Sequence, residues 1–224
     1  SNNANEGAGI ANYAAFFTTI QRCKFENNYG FTGVCIYNRA SSPIIADCLF
    51  KNNIASGGAC ITNLALGSPI LGGGEACRPQ FFNCAFTNNV GIVMFNTSSL
   101  GSQTQPTIVN CTINSGTYTA SRNNVYSSFQ ITNSIIWGPV VNFQDPPVIS
   151  YSIVKNSFSG DTWNNNIGAN GGNNSEADPR FVDEINGNLR LLCNSPALDA
   201  GNNEVNTYPF DLDANLRIIN NQID

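Results

Sequence analysis

The stretch PIIADCLF, residues 43–50, decides the fold because variants of it recur along the chain. Six stretches align without a gap: TTIQRCKF (18–25), PIIADCLF (43–50), PQFFNCAF (79–86), PTIVNCTI (106–113), FQITNSII (129–136) and PVISYSIV (147–154). Their starting positions are separated by 25, 36, 27, 23 and 18 residues. Recurrence on this scale predicts a solenoid, in which each turn of the chain contacts only its neighbours.

Three columns of similar side chains run through the aligned stretches. The first column is apolar: Ile20, Ile45, Phe81, Ile108, Ile131, Ile149. Three residues later comes a column of small residues: Cys23, Cys48, Cys84, Cys111, Ser134, Ser152. Two residues further, a second apolar column follows: Phe25, Phe50, Phe86, Ile113, Ile136, Val154. The spacing of two predicts a strand with one buried face. The spacing of three predicts a corner, where the residue before the small column is mostly Asn or Asp.

A second motif supports the same repeating coil. It reads GAGIAN at 7–12, GVCIYN at 33–38, GACITN at 58–63 and GIVMFN at 91–96. Each coil therefore contains two or three short strands, and coils this short must pair each strand with its equivalent one turn away. We predict an all-β fold, a single-stranded parallel β-helix, rather than a leucine-rich horseshoe or a propeller.

Composition limits the classes of partner that the chain is expected to bind. The formal charge is −5 and the sequence pI is about 4.6, which argues against nucleic acid or an anionic membrane surface as a partner. No apolar stretch approaches the length of about 18 residues that a membrane-spanning helix needs, so no membrane insertion is expected. The Asn-, Gly-, Ser- and Thr-rich sequence is typical of a secreted β-protein, and because it does not start like a signal peptide, we expect that such a peptide has been removed or is not included. We interpret it as a fragment of a longer protein.

The run GVCIYNRASSPIIADCLFKNN (33–53) resembles the repeats of bacterial secreted and surface right-handed parallel β-helix proteins, including polymorphic-outer-membrane-protein-like repeats. The later stretches SPALDAGNN (195–203) and DLDANLR (211–217) are similar to the C-terminal segment that precedes an anchoring or sorting signal in such proteins. The resemblance implies a right-handed, pectate-lyase-like solenoid at the cell surface or outside the cell. The chain departs from the pattern at Cys193 and stops at Asp224 without a sorting domain.

The chain divides into two regions. Residues 1–158 carry the coils, and residues 159–224 form a C-terminal capping segment that we expect to fold over the last coil. The second region begins with the Asn- and Gly-rich run NNNIGANGGNNSEADP (164–179) and has only brief strand signals. Its apolar residues require a buried position: Phe181, Leu189, Leu191, Leu192, Leu198.

The eight cysteines have two competing interpretations. Six of them fall in two inward ladders: Cys23, Cys48, Cys84 and Cys111 in one, Cys35 and Cys60 in the other. Neighbouring coils bring such residues close enough for disulfides, but reduced cysteine also packs well as a small apolar side chain. Ser134 and Ser152 continue the first ladder, which favours the reduced stack. Cys77 and Cys193 belong to no ladder and are the candidate disulfide pair.

Catalytic and metal sites have weak sequence support. Of the 15 acidic residues, only Glu6, Glu26, Asp47 and Glu75 precede Asp145, too few for the facing carboxylates of a glycoside hydrolase. Glu26 and Lys51 share an outward column and are interpreted as an ion pair. No cofactor is expected, except that Asp211, Asp213 and Asn215 form a D-x-D-x-N run that is a candidate Ca²⁺ site. The alternative is a turn of surface carboxylates.

Aromatic side chains are the candidate ligand-binding groups: Trp137, Trp163, Tyr118, Tyr126. Trp137 lies in an outward column, or else is covered by the loop that follows it. We predict an extracellular structural or adhesive module that presents loops 64–78, 97–105 and 114–128 to a glycan or protein partner, without turnover. Further domains of the same chain are another possible partner. The alternative is a polysaccharide lyase or glycoside hydrolase whose catalytic coils lie outside this chain.

Overall fold

The structure of the protein is a computed structural model, and it describes residues 2–67, 76–99, 102–124, 126–142, 145–206, 208–219 and 221–223. Three parallel sheets account for nearly all strands before residue 158, and three short antiparallel hairpins follow. Within the described ranges, the helical element is one short 3₁₀ turn, Asn203–Val205. None of these residues forms a helix with the length and apolar character to cross a bilayer.

The isoleucine sheet is built by the first apolar column. Its seven strands are Thr19–Gln21, Ile44–Ala46, Gln80–Phe82, Thr107–Val109, Gln130–Thr132, Val148–Ser150 and Ala169–Asn170. The residues of the first apolar column pair in one register from Ile20 to Ile149. All six side chains of this column are buried. Each strand is only two or three residues long because a corner follows it directly.

The phenylalanine sheet is built by the second apolar column. Its six strands are Lys24–Glu26, Leu49–Lys51, Ala85–Thr87, Thr112–Asn114, Ile135–Trp137 and Ile153–Val154. The Phe25 and Phe50 rings stack with centroids 4.8 Å apart, and the Phe50 and Phe86 rings stack at 4.4 Å. Because parallel strands lie about 4.8 Å apart, identical residues in register place their rings face to face.

The asparagine sheet is built by the second motif. Its eight strands are Asn3–Glu6, Ile10–Tyr13, Tyr29–Thr32, Ile36–Arg39, Ile54–Ala65, Val90–Ser98, Ser121–Asn123 and Val140–Asn142. The last residue of the motif forms a ladder in which each side-chain amide donates to the next: Asn12, Asn38, Asn63, Asn96, Asn123, Asn142. The donor–acceptor distances are 2.6 to 2.9 Å, so these buried amides are satisfied by one another.

Each coil passes through the asparagine, isoleucine and phenylalanine sheets in that order, and each strand pairs in parallel with its equivalent in the next coil. This arrangement confirms the predicted all-β fold and is that of a parallel β-helix. The corner between the isoleucine and phenylalanine sheets is also where the sequence predicts it. Six residues adopt positive φ there, between 50° and 54°: Arg22, Asp47, Asn83, Asn110, Asn133, Tyr151.

Residues 158–176 close the last coil, and we call them the end cover. A hairpin pairs Phe158–Ser159 with Thr162–Trp163, and Ala169–Asn170 adds a seventh strand to the isoleucine sheet. Trp163 and Ile167 join the apolar core. This part of the C-terminal region therefore packs on the last coil.

Residues 178–223 take a different path from the predicted cap, and we call them the strap. The strap runs back along the outer wall of the coils and carries two hairpins, Phe181–Asp183 with Asn188–Leu191 and Ile218–Ile219 with Gln222–Ile223. It contacts three successive residues of the corner column: Asn133 bonds Asn202, Asn110 bonds Asn206, and Asn83 bonds the Phe210 carbonyl.

The reason for this path is the chemistry of the corner column. Left-handed corners favour asparagine, and asparagine leaves a side-chain amide that needs a partner. The Asn133 amide donates to the Asn202 carbonyl at 2.9 Å and accepts from the Asn202 N–H at 2.7 Å. Tyr208 also stacks on Phe82, with ring centroids 5.0 Å apart. Some apolar residues of the strap are buried against the outer wall of the coils, while Leu192 remains exposed.

Candidate functional site

The cysteine ladders are structural columns that are buried at every member except the partly exposed Cys23. All eight cysteines are free thiols, and six of them are fully or almost fully buried. The Cys48 thiol donates to the Ala46 carbonyl at 3.1 Å, and Cys111 and Cys84 make equivalent bonds to residues two positions earlier. Burial raises the pKa of the Cys84 thiol well above its ordinary value, and it raises the pKa of Cys77 to about 12. Such thiols remain protonated and unreactive at neutral pH.

Cys77 and Cys193 are not joined in the structure. Cys77 is buried beside Ser41, whose carbonyl accepts from its thiol at 3.1 Å, whereas Cys193 is exposed in the strap. The two residues therefore differ in environment, and only Cys193 presents a thiol at the surface without a ladder around it.

Trp137 is not the exposed ligand-binding residue that its outward column suggests. It is 8% exposed, because the strap residues Phe181, Leu191 and Ala197 pack on the cluster that it forms with its neighbours. The Lys155 ammonium lies 4.9 Å from the centre of its ring. The loop that follows Trp137 was the alternative cover, and its positions 143–144 lie outside the described residues, whereas the residues seen to pack on the cluster come from a segment more than 40 residues later.

Trp163 is also buried. Its indole N–H donates to the Gly168 carbonyl at 2.6 Å, and its ring meets Phe158 edge-on. Trp163 is therefore a buried structural residue of the end cover. Tyr118 and Tyr126 are exposed, by 44% and 41%, and remain candidate binding residues. The predicted loops lie partly outside the described residues, at positions 68–75, 100–101 and 125.

The D-x-D-x-N run forms a tight turn in the strap. Asp211 Oδ1 accepts from the main-chain N–H groups of Asp213 and Asn215, both at 2.8 Å. The Asp213 carboxylate forms a two-point ion pair with the Arg190 guanidinium, at 2.7 and 2.6 Å. Both Asp211 and Asp213 therefore have hydrogen-bond partners within the strap. Among the described residues, no three Cys, Asp or Glu side chains converge as metal ligands.

The outer face of the asparagine sheet carries a groove that the sequence analysis did not identify. We call it the aromatic groove, and its volume is about 290 Å³. Its aromatic residues are Phe31, Tyr37 and Phe95, and its polar groups come from Thr32, Thr62, Thr97 and Arg122. None of the residues that line it is acidic. Phe31 is 56% exposed and Phe95 is half-buried, so two aromatic rings are open to solvent.

The coil repeat builds this groove by alternation. In the motif GVCIYN and its relatives, Ile36, Ile61 and Met94 point inward, so the next residue points outward. The outward residues pair across coils in the order Tyr37, Thr62, Phe95 and Arg122. The fifth position of the motif thus forms an outward column. The alternation of inward and outward residues in the motif is therefore the sequence signal that could have predicted the groove.

Two glycines leave room for the Phe31 ring at one side of the groove. A β-carbon at Gly57 would lie 2.1 Å from the Phe31 ring, and one at Gly58 would lie 2.3 Å from the Thr32 hydroxyl. The Phe31 ring therefore rests on bare backbone of the next coil. The Thr32 and Thr62 hydroxyls are 2.8 Å apart, and Thr62 also accepts from the Gly33 N–H at 3.1 Å.

Cations and aromatic rings are interleaved on this face. The Arg122 guanidinium lies 5.8 Å from the centre of the Phe95 ring, and Arg39 lies 6.0 Å from that of Tyr13. Tyr13 and Tyr37 approach with ring centroids 6.0 Å apart. Burial raises the pKa of Tyr37, and the nearby Glu6 carboxylate adds to the effect, so its hydroxyl remains a hydrogen-bond donor at neutral pH.

Comparisons with protein-family models, curated proteins and solved structures find no match to this chain.

Proposed function

We propose that this chain is a non-catalytic glycan-binding module that acts outside the cell, with the aromatic groove as its binding surface. One observation carries the proposal: a groove of about 290 Å³ crosses successive coils and combines open aromatic rings, threonine hydroxyls and a guanidinium. Sugar rings have apolar C–H faces and polar edges. Aromatic rings bind the faces, and hydroxyl and guanidinium groups bind the edges.

The rigid parallel sheet favours binding without motion. The floor of the groove consists of strands Ile36–Arg39, Ile54–Ala65 and Val90–Ser98, which are held by main-chain pairing and by the asparagine ladder below them. Side chains on such a sheet lose little freedom when a ligand binds, which reduces the entropic cost of association. An adhesive module needs this property, because it binds a surface polymer repeatedly and does not change it.

The absence of acidic residues from the groove lining supports binding over cleavage. Glycoside hydrolases require two carboxyl groups that flank the scissile bond. Lyases require a base and, in many cases, an acidic calcium site. The proposal therefore predicts affinity for an oligosaccharide without formation of a shorter product.

The test uses an array of immobilised oligosaccharides together with a reducing-end assay on every ligand that binds. We expect at least one oligosaccharide to bind and to remain intact. Phe31→Ala and Phe95→Ala should each weaken that binding about tenfold, the ratio that corresponds to ~1.4 kcal/mol. Phe17→Ala is the matched control, because Phe17 is 99% exposed and lies outside the groove.

Two results would contradict the proposal. Release of new reducing ends from a bound glycan would make the chain an enzyme. Binding that Phe31→Ala, Phe95→Ala and Phe17→Ala all leave unchanged would place the ligand elsewhere on the molecule.

A further inference from the structure

A second pocket lies where the first hairpin of the strap meets the turn after the phenylalanine sheet of the fourth coil. Its volume is about 340 Å³, within the range of small-ligand sites. We call it the strap pocket, and its principal residues are Asn88, Asn114, Thr117, Tyr118, Glu184 and Ile185. The Asn88 amide donates to the Ile185 carbonyl at 3.3 Å, which holds the two walls together.

Asn114 carries an amide nitrogen that lacks a partner. The residue is 5% exposed, and its side-chain oxygen accepts from the Gly116 N–H at 3.2 Å. Its side-chain N–H groups donate to none of the residues that the structure describes. The nitrogen is not among the fully enclosed unpaired atoms of the described residues, so it is reached from the pocket and can donate to an acceptor from outside the chain.

Glu184 supplies the complementary group. Its main-chain carbonyl accepts from the Gly187 N–H at 3.1 Å, but no described residue donates to its half-buried carboxylate. Tyr118 provides an apolar face beside these groups. Two hydrogen bonds to Ser115 hold the Tyr118 backbone. The Tyr118 N–H donates to the Ser115 carbonyl at 2.9 Å, and the Ser115 hydroxyl donates to the Tyr118 carbonyl at 2.7 Å. Tyr118 lines the pocket and is 44% exposed.

We propose that the strap pocket binds a single neutral sugar residue. A sugar hydroxyl is both an acceptor and a donor, so it satisfies the Asn114 amide and the Glu184 carboxylate together. The C–H face of the sugar ring would lie on Tyr118. An ammonium group would satisfy Glu184 alone and leave the Asn114 amide unpaired, and an anion would be repelled by Glu184. The inference goes beyond the proposed function, because it names a second site made by different residues.

The test records chemical-shift changes of backbone amides on addition of D-glucose, D-galactose, D-mannose or N-acetyl-D-glucosamine, one at a time. We expect at least one sugar to shift the amides of residues 116–118 and 184–185. Tyr118→Ala and Glu184→Gln should each weaken that binding at least about tenfold, as the loss of a charged hydrogen bond or a stacking face requires.

Matched controls separate the pocket from general surface effects. Tyr29→Ala removes a similarly exposed tyrosine, and Glu204→Gln removes an exposed carboxylate, both outside the pocket. Neither should change the sugar affinity. The inference is overturned if none of the four sugars shifts these amides, or if methylammonium shifts them and no sugar does. Shifts confined to the aromatic groove would overturn it while supporting the proposed function.

Discussion

Buried asparagines are the residues that lock one coil to the next. In the ladder from Asn12 to Asn142, each side chain donates to the residue above and accepts from the residue below. A second ladder joins Asn28, Asn53 and Asn89 at 3.0 Å per step. These polar columns sit beside the phenylalanine and isoleucine columns. A shift of one coil against the next by a single residue would break every hydrogen bond in these ladders. The ladders therefore fix the register between coils more strictly than apolar packing alone would.

Asn63→Ala tests this role. The substitution leaves the Asn38 amide without its acceptor and the Asn96 side-chain oxygen without its donor, both in a fully buried position. We expect a loss of about 2 to 5 kcal/mol in the free energy of unfolding, measured by urea denaturation. Asn165→Ala, at an exposed site, should change it by less than about 0.5 kcal/mol. Equal effects of the two substitutions would show that the ladder has no stabilising role.

The strap is the element whose placement most changes the surface of the molecule. Its first hairpin covers Ile135, Trp137 and Ile153 on the outer face of the phenylalanine sheet. At the hairpin tip, Lys51 donates to the Asn186 carbonyl at 3.4 Å, in place of the Glu26 ion pair that the shared column suggests. The strap thereby covers part of the outer wall of the phenylalanine sheet, whereas Phe31 and Phe95 on the asparagine sheet stay accessible to solvent.

Tryptophan fluorescence reports the position of the strap. In a Trp163→Phe background, Phe181→Ala or Leu191→Ala should expose Trp137, shift its emission to longer wavelength and increase acrylamide quenching. Each substitution should cost about 1 to 3 kcal/mol of stability, below the loss for a fully buried large side chain.

Val182→Ala is the control on the same strand, because Val182 is 48% exposed. Its emission should match that of the parent protein. In a Trp137→Phe background, Phe181→Ala should leave Trp163 unchanged. An unshifted spectrum for Phe181→Ala and Leu191→Ala would mean that the strap does not cover Trp137 in solution.

At the scale of the whole molecule, the two ends of the stacked parallel sheets differ. The end cover adds a strand to the isoleucine sheet after the sixth coil and buries Trp163 and Ile167 in the core. In the first coil, strands Thr19–Gln21 and Lys24–Glu26 are the terminal members of their sheets. The strap then ties the second coil to later ones, through Lys51 and Asn83. Stability in such a stack is a sum over neighbouring interfaces, so the first coil has the least support.

Hydrogen exchange followed by mass spectrometry should show this gradient. We expect main-chain amides of residues 19–26 to exchange faster than the equivalent amides of residues 80–87 and 107–114, by a factor of about ten or more. Amides of residues 148–154 should be protected, since the end cover lies over them. Uniform protection along all coils would indicate that the molecule opens as one cooperative unit, contrary to this expectation.

The repeating part of the structure was predictable from sequence alone. The isoleucine, cysteine and phenylalanine columns, the left-handed corner and the parallel pairing all depend on contacts between equivalent positions of adjacent coils. A periodic sequence therefore reveals them, because the same steric and hydrogen-bonding requirement is repeated in every turn. The outward fifth position of the GVCIYN motif carried the same kind of signal.

Only the tertiary structure decided what the outer walls contact. Asn83 and Phe210 are 127 positions apart, and nothing periodic links the strap to the corner that it follows. The burial of Trp137 and the assembly of the strap pocket depend on that non-repeating path. A side chain that points outward from a coil has no fixed environment until a distant segment either covers it or leaves it exposed, so its role is set by packing between segments and not by its local pattern.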